Sequence, residues 1–185
     1  MLPRISIFFV VFLAIYFSQC TVHSAIVSYE NQKSANITDD NWLIEQTIYV
    51  TGLNPSLSSN ANISLQIWLT HTRNSDLQIR LYGPDDSQVV ITQGRGGRYD
   101  NVFNGTLFSD SALNSVASYA FSQNGVVSPL QPEQPFSTFI GKNPNGQWKL
   151  SISDLGFGED GKLDKFRLNI QGKMINNSFN IYKSK

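Results

Sequence analysis

The stretch ANISLQIWLTHTRNSDLQIRLYG, residues 61–83, decides the fold. Ile63, Leu65, Ile67 and Leu69 alternate with Ser64, Gln66, Trp68 and Thr70, the period of a strand with one buried face. A helix would scatter the same side chains around its circumference. After a reversal at Thr72–Ser75 the alternation resumes with Leu77, Ile79 and Leu81, so the pair reads as a hairpin whose turn Asp76 closes. The pattern recurs at Trp148, Leu150 and Ile152, and at Phe166, Leu168 and Ile170. QTIYVTGL (46–53) and SQVVITQG (87–94) are shorter strand candidates, rich in β-branched residues. Turn signals separate these runs at Gly83-Pro84-Asp85-Asp86, Gly94–Gly97, Asn124-Gly125, Asn143–Gly146 and Asp160-Gly161, the last expected to close a second hairpin. No segment keeps a helical period over three turns. The pattern predicts one all-β domain, a jelly-roll or galactose-binding-like β-sandwich.

Outside this core the chain opens with Arg4 followed by an uncharged apolar run, Ile5–Phe17, then polar Ser18, Gln19 and Thr21. The run is shorter than the roughly 20 residues a spanning helix needs, so residues 1–24 are expected to be a secretory signal peptide, with no membrane anchor. Val22 and Ser24 suit a cleavage site ahead of Ala25. Residues 25–40 are expected as a lead-in, 41–172 as the domain, and 173–185 as a polar tail. Cleavage would remove the one cysteine, Cys20, and His23, leaving His71 as the single histidine. Without Arg4, 13 basic face 14 acidic side chains, a net charge of −1 that gives no reason to expect nucleic acid as a partner. Four N-x-[ST] tripeptides, at Asn36, Asn62, Asn104 and Asn176, are candidate glycosylation sites consistent with a secreted, extracellular protein.

His71, Ser75 and Asp76 invite a catalytic reading, which needs a base within reach of a nucleophile and a third group to orient that base. Strand alternation instead turns His71 inward with Leu65, Ile67 and Leu69, and predicts that it bonds to loop backbone. Ser75 and Asp76 are ordinary turn residues. Asp154, Asp160 and Asp164, with Glu159, offer oxygens of the kind calcium takes, but their spacing misses the usual loop pattern. Asp100 and Asp110 are a second such pair. One histidine and no cysteine cannot furnish a standard structural zinc set.

Residues 69–86 resemble the HT-R-x-x-DL…L-x-x-P signature of the P domain, or Homo B domain, of subtilisin-like (kexin- and furin-like) proprotein convertases, through His71, Asp76, Leu77 and Pro84. The resemblance continues in order. Phe108, Asp110 and Ala112 resemble an aromatic-x-D-x-A segment; Pro135, Phe136, Phe139 and Gly141 a P-x-x-P-L-x-x-F-x-G run. Gly146, Trp148, Leu150, Asp154, Gly161, Leu163, Leu168 and Ile170 resemble the closing G-x-W-x-L-x-V-x-D…D-G-x-L…L-x-I. Phe166 stands where the family usually has tryptophan, and Arg73-Asn74-Ser75-Asp76 where many members have arginine-glycine-aspartate.

The resemblance implies a jelly-roll β-sandwich that accompanies a subtilisin-type serine endopeptidase and stabilises it. With His71 the single histidine and turned to the core, no general base remains, so no catalytic residue is expected here, and no cofactor unless the calcium candidates bind; the resemblance makes the expected partner an extracellular protein such as that protease. By the resemblance, protease activity belongs to the domain's usual neighbour in proteolytic processing. The alternative from another class is lectin-like glycan binding or adhesion, with Trp68 on the outer face of its strand as the stacking ring.

Overall fold

The computed structural model describes residues 24–174. Residues 1–23, most of the expected signal peptide, with Cys20 and His23, lie outside them, as do residues 175–185 of the expected tail, with Asn176. Among the described residues nine strands make two antiparallel sheets: β1 (Ser24–Asn31), β2 (Ala35–Ile37), β3 (Leu43–Val50), β4 (Ile63–His71), β5 (Leu77–Tyr82), β6 (Gln88–Gln93), β7 (Asn104–Ser109), β8 (Gly146–Asp154) and β9 (Gly161–Lys173). One sheet runs β1-β9-β4-β7, with β2 also on β9; the other runs β3-β8-β5-β6. Helical structure among the described residues is limited to 3-10 turns at Asn74–Asp76 and Phe136–Phe139.

The alternation read from the sequence is the packing of the sandwich. Leu65, Ile67 and Leu69 of β4 and Leu163, Phe166, Leu168 and Ile170 of β9 face Leu77, Ile79, Leu81, Trp148, Leu150 and Ile152 of the other sheet, all at most 1 % exposed. Each such side chain stabilises the fold by roughly 1.5–3 kcal/mol relative to exposure. β9 keeps its face inward despite an extra residue because the β4–β9 register shifts between Trp68 and Leu69. Trp148 anchors the centre: its indole N–H donates to the Pro144 carbonyl at 2.7 Å, and Phe139 meets its ring edge-on at 4.7 Å.

Two connections differ from the sequence reading. The reversals at 72–76 and at Asp160-Gly161 do not close hairpins, because β4 and β9 belong to one sheet and β5 and β8 to the other. Both are arches that carry the chain across the sandwich. A local reversal signal is the same for a hairpin and an arch; what differs is the partner each strand finds, and that pairing is non-local. The β5–β6 pair is the true hairpin, closed by Gly83–Ser87. The stretch 25–40, expected as a lead-in, supplies most of β1 and all of β2, which pair along β9 from Lys173 to Phe166 and from Leu163 to Gly161. Its alternation is weak, since Ile26 is exposed and only Val27 and Tyr29 of β1 rest on the core.

Candidate functional site

Four strand ends meet at one end of the sandwich. His71 closes β4, Leu77 opens β5, Asp154 closes β8 and Gly161 opens β9; His71 lies opposite Gly161 in one sheet, and Leu77 opposite Asp154 in the other. The His71 imidazole is 1 % exposed. Its Nε2 lies 3.0 Å from Asp154 Oδ2, and its Nδ1 accepts from the Arg73 amide at 3.1 Å and lies 2.9 Å from the Arg73 carbonyl. The accepting Nδ1 leaves the proton on Nε2, which donates to the carboxylate. Asp154 Oδ1 accepts from the Gly156 amide at 3.0 Å. Both ring nitrogens and both carboxylate oxygens are thus engaged within the protein.

The sequence triplet is not assembled as a triad. The Ser75 hydroxyl faces Asp76 Oδ1 at 3.3 Å and Arg73 Nε at 3.4 Å. Asp76 closes the turn, its amide donating to the Arg73 carbonyl at 3.1 Å, while its carboxylate pairs with Arg73 and its carbonyl accepts from Leu155. The carboxylate that meets the histidine is Asp154, 83 positions away. Sequence reasoning had it as a motif residue and a calcium candidate, with no signal joining it to His71. The pair bridges the two sheets, a tie that resists separation of the layers at this end.

The other motif residues are distributed through the scaffold. Leu77 and Trp148 are core; Pro84 sits in the β5–β6 turn against Gly146. Asp110 accepts the Phe136 and Ser137 amides at 2.9 and 3.0 Å, fixing the 3-10 turn between Pro135 and Gly141. Asp154, Asp160 and Asp164 do not converge: Asp154 is committed to His71, and Asp164 faces Lys162 at 2.6 Å. No group of three or more metal-ligating side chains forms among the described residues.

Trp68 is partly buried on the outer face of β4. The Lys165 ammonium stands 4.3 Å above its ring and the Arg167 guanidinium 5.5 Å, so cations from β9 cover the ring a sugar would stack on. Arg167 Nε also donates to Glu30 at 2.8 Å, and this bond, ahead of the one from Gln32, holds the Glu30 carboxyl below its ordinary range. Asn36, Asn62 and Asn104 are exposed.

One surface feature escaped the sequence reading. Trp42 (53 % exposed), Leu43 (41 %), Leu155 (62 %) and Phe157 (88 %) lie on two neighbouring segments, one leading into β3 and one leaving β8. Backbone bonds hold this corner: Asp154 N–H to the Trp42 carbonyl at 2.7 Å, Leu155 N–H to Asp76 at 2.8 Å, and Gly158 N–H to the Asp39 carboxylate at 3.0 Å. The available signal was the pair of large apolar residues set among glycines in Leu155-Gly156-Phe157-Gly158, where a turn alone calls for polar residues.

A family model, the proprotein convertase P-domain, matches residues 60–170, from just before β4 to near the end of β9. The chain belongs to this family. Among solved structures it is similar to the Aeromonas sobria serine protease in complex with its chaperone ORF2, at 18 % identity over 82 % of this chain, with a TM-score of 0.44. It is also similar to the Aeromonas sobria serine protease alone, at 18 % identity over 80 % of this chain, with a TM-score of 0.43. The chain covers 28 % and 27 % of those two chains. No curated protein matches it. No helix among the described residues is long and apolar enough to cross a membrane.

Proposed function

We propose that the chain is a secreted, non-catalytic binding module that docks on a subtilisin-type serine endopeptidase through the Trp42–Phe157 corner and stabilises it. Family membership supports the choice of partner class, because P domains accompany such proteases. The observation that carries the reading is the corner itself: four large exposed apolar side chains on two adjacent segments whose backbones are hydrogen-bonded together. Aromatic and aliphatic side chains prearranged in this way bind without a large ordering cost. The segments that bear them, 39–43 and 155–160, contain Asp39, Asp40, Glu159 and Asp160 and no lysine or arginine. The complementary surface is an apolar hollow rimmed by basic residues. A module that binds only the folded protease adds about 2.7 kcal/mol to its stability at a concentration of 100 Kd. The apolar run Ile5–Phe17 and the exposed sequon asparagines support secretion. The enclosure of His71 and its commitment to Asp154 and Arg73 argue against a role as a general base.

The test passes culture medium over the immobilised chain and over its Phe157→Asp variant. The expected result is retention of a subtilisin-type protease by the wild type, at least tenfold less retention by the variant, and a higher thermal midpoint for the protease when the chain is bound. Turnover of a basic-site peptide by the chain alone, abolished in a folded His71→Ala variant, would overturn the reading; so would failure to retain any such protease.

A further inference from the structure

A second feature lies at the same end of the sandwich, on the β6 side. After β6 the chain runs Gly94-Arg95-Gly96-Gly97-Arg98, a loop that the docking corner does not use. It rims a cavity of about 190 Å³ whose opposite wall is Val116, Tyr119 and Phe121. The loop is pinned from below by its carbonyls: Gly97 accepts from the Ser75 amide at 2.9 Å, and Tyr99 from the Asn74 amide at 3.3 Å and from Asn74 Nδ2 at 2.7 Å. Gly96 has φ +92°, and a Cβ there would come within 2.6 Å of the Asn74 Cβ, so only glycine lets the loop lie this close to the turn. With its carbonyls turned to this use, the backbone N–H groups of residues 95–98 have no acceptor among the described residues.

Arg95 stands at the rim. Its Nε donates to Glu133 at 2.9 Å, and Glu133 is itself fixed, its carboxylate by the Gln93 amide at 2.9 Å and its own amide by the Ile91 carbonyl at 3.1 Å. The two outer guanidinium nitrogens carry no bond among the described residues. The opposite wall is rigid and apolar: Tyr119 meets Phe121 edge-on at 5.1 Å, and Phe121 meets the fully buried Phe103 at 5.7 Å. A concavity with unpaired backbone donors and a held guanidinium on one side, and aromatic rings on the other, suits a small anion attached to an apolar group. Glu133 offsets part of the Arg95 charge, which favours a monoanion over a phosphate.

We propose that this cavity binds a carboxylate carried on one aromatic or branched aliphatic group, the form in which a peptide presents its C-terminus. The carboxylate takes the outer Arg95 nitrogens and the loop amides; the side chain lies against Tyr119 and Phe121. The site is distinct from the docking corner and does not depend on the protease reading.

The test titrates the full chain with N-acetyl-L-phenylalanine, N-acetyl-L-phenylalaninamide and acetate, followed by amide chemical shifts. The expected result is saturable binding of the acid, with shifts confined to residues 94–99 and 116–121. The amide and acetate should bind at least tenfold more weakly, and Arg95→Gln should reduce acid binding at least tenfold while Arg98→Gln leaves most of it. Equal binding of acid and amide by the wild-type chain, or no saturable response to the acid by about 20 mM, a weak limit for a ligand of this size, would overturn it. Neither result relies on a variant that must fold.

Discussion

Two charged clusters lie on the two faces of the sheet that holds β4 and β9. On the inner side His71 meets Asp154 at 3.0 Å, with side chains 0 and 2 % exposed. On the outer side Arg167 and Lys165 of β9 meet Glu30 of β1, with side chains 37, 35 and 19 % exposed, and lie over Trp68 of β4. The chemistry is similar and the consequences differ, because water compensates a broken pair on the outside and cannot reach one on the inside. Burial, and not the residue types, decides which cluster the fold depends on.

The comparison is broken most directly by Asp154→Ala. Leaving the buried Nε2–H of His71 without its acceptor should cost about 1–3 kcal/mol, with the bond from the Gly156 amide lost besides, read as a fall in the urea midpoint. A double-mutant cycle with His71→Ala should show strong coupling between the two positions, and additivity would mean the sheets are not joined here. Gly161→Ala comes next. Its Cβ would lie against the His71 ring and the Thr70 carbonyl, an overpacking expected to cost about 1–3 kcal/mol in thermal unfolding.

On the outer face, Trp68→Leu keeps an apolar side chain and removes the ring beneath Lys165, for an expected loss of about 0.5–1 kcal/mol. The smallest effect is that of Glu30→Gln. The bond from Arg167 depresses the Glu30 carboxyl in the folded chain, so its contribution is present above the ordinary value of 4.5 and is lost as the pH falls below it. Wild-type and variant stabilities, compared by calorimetry, should differ slightly at pH 7 and converge in acid. High salt should also shrink the outer-face effects and leave the Asp154 effect nearly intact.

The two clusters differ too in how far they can be read from the chain. His71 is placed inside by a rule of alternation, because it continues the face of Leu65, Ile67 and Leu69. Its partner is not, because the alternation of β8 gives Asp154 an inward face without saying which strand end lies opposite. The Trp68 cluster is hidden in the same way, since the shift between Trp68 and Leu69 that sets Lys165 beside the ring is a property of the pairing. The exposed corner joins Leu43 to Leu155 across 112 positions, and each half alone reads as an isolated surface residue.

The amino-acid sequence by itself determined six of the strands (β3–β6, β8 and β9), their inward faces, the central tryptophan and the family signature, because a period of two and short-range turn chemistry are local properties of the chain. The tertiary structure alone decided that 72–76 and 160–161 are arches between sheets, that β1 and β2 complete the β9 side, and that His71 meets Asp154. Each of these depends on which distant segment a strand pairs with, and that choice is made by the collective burial of two sheets.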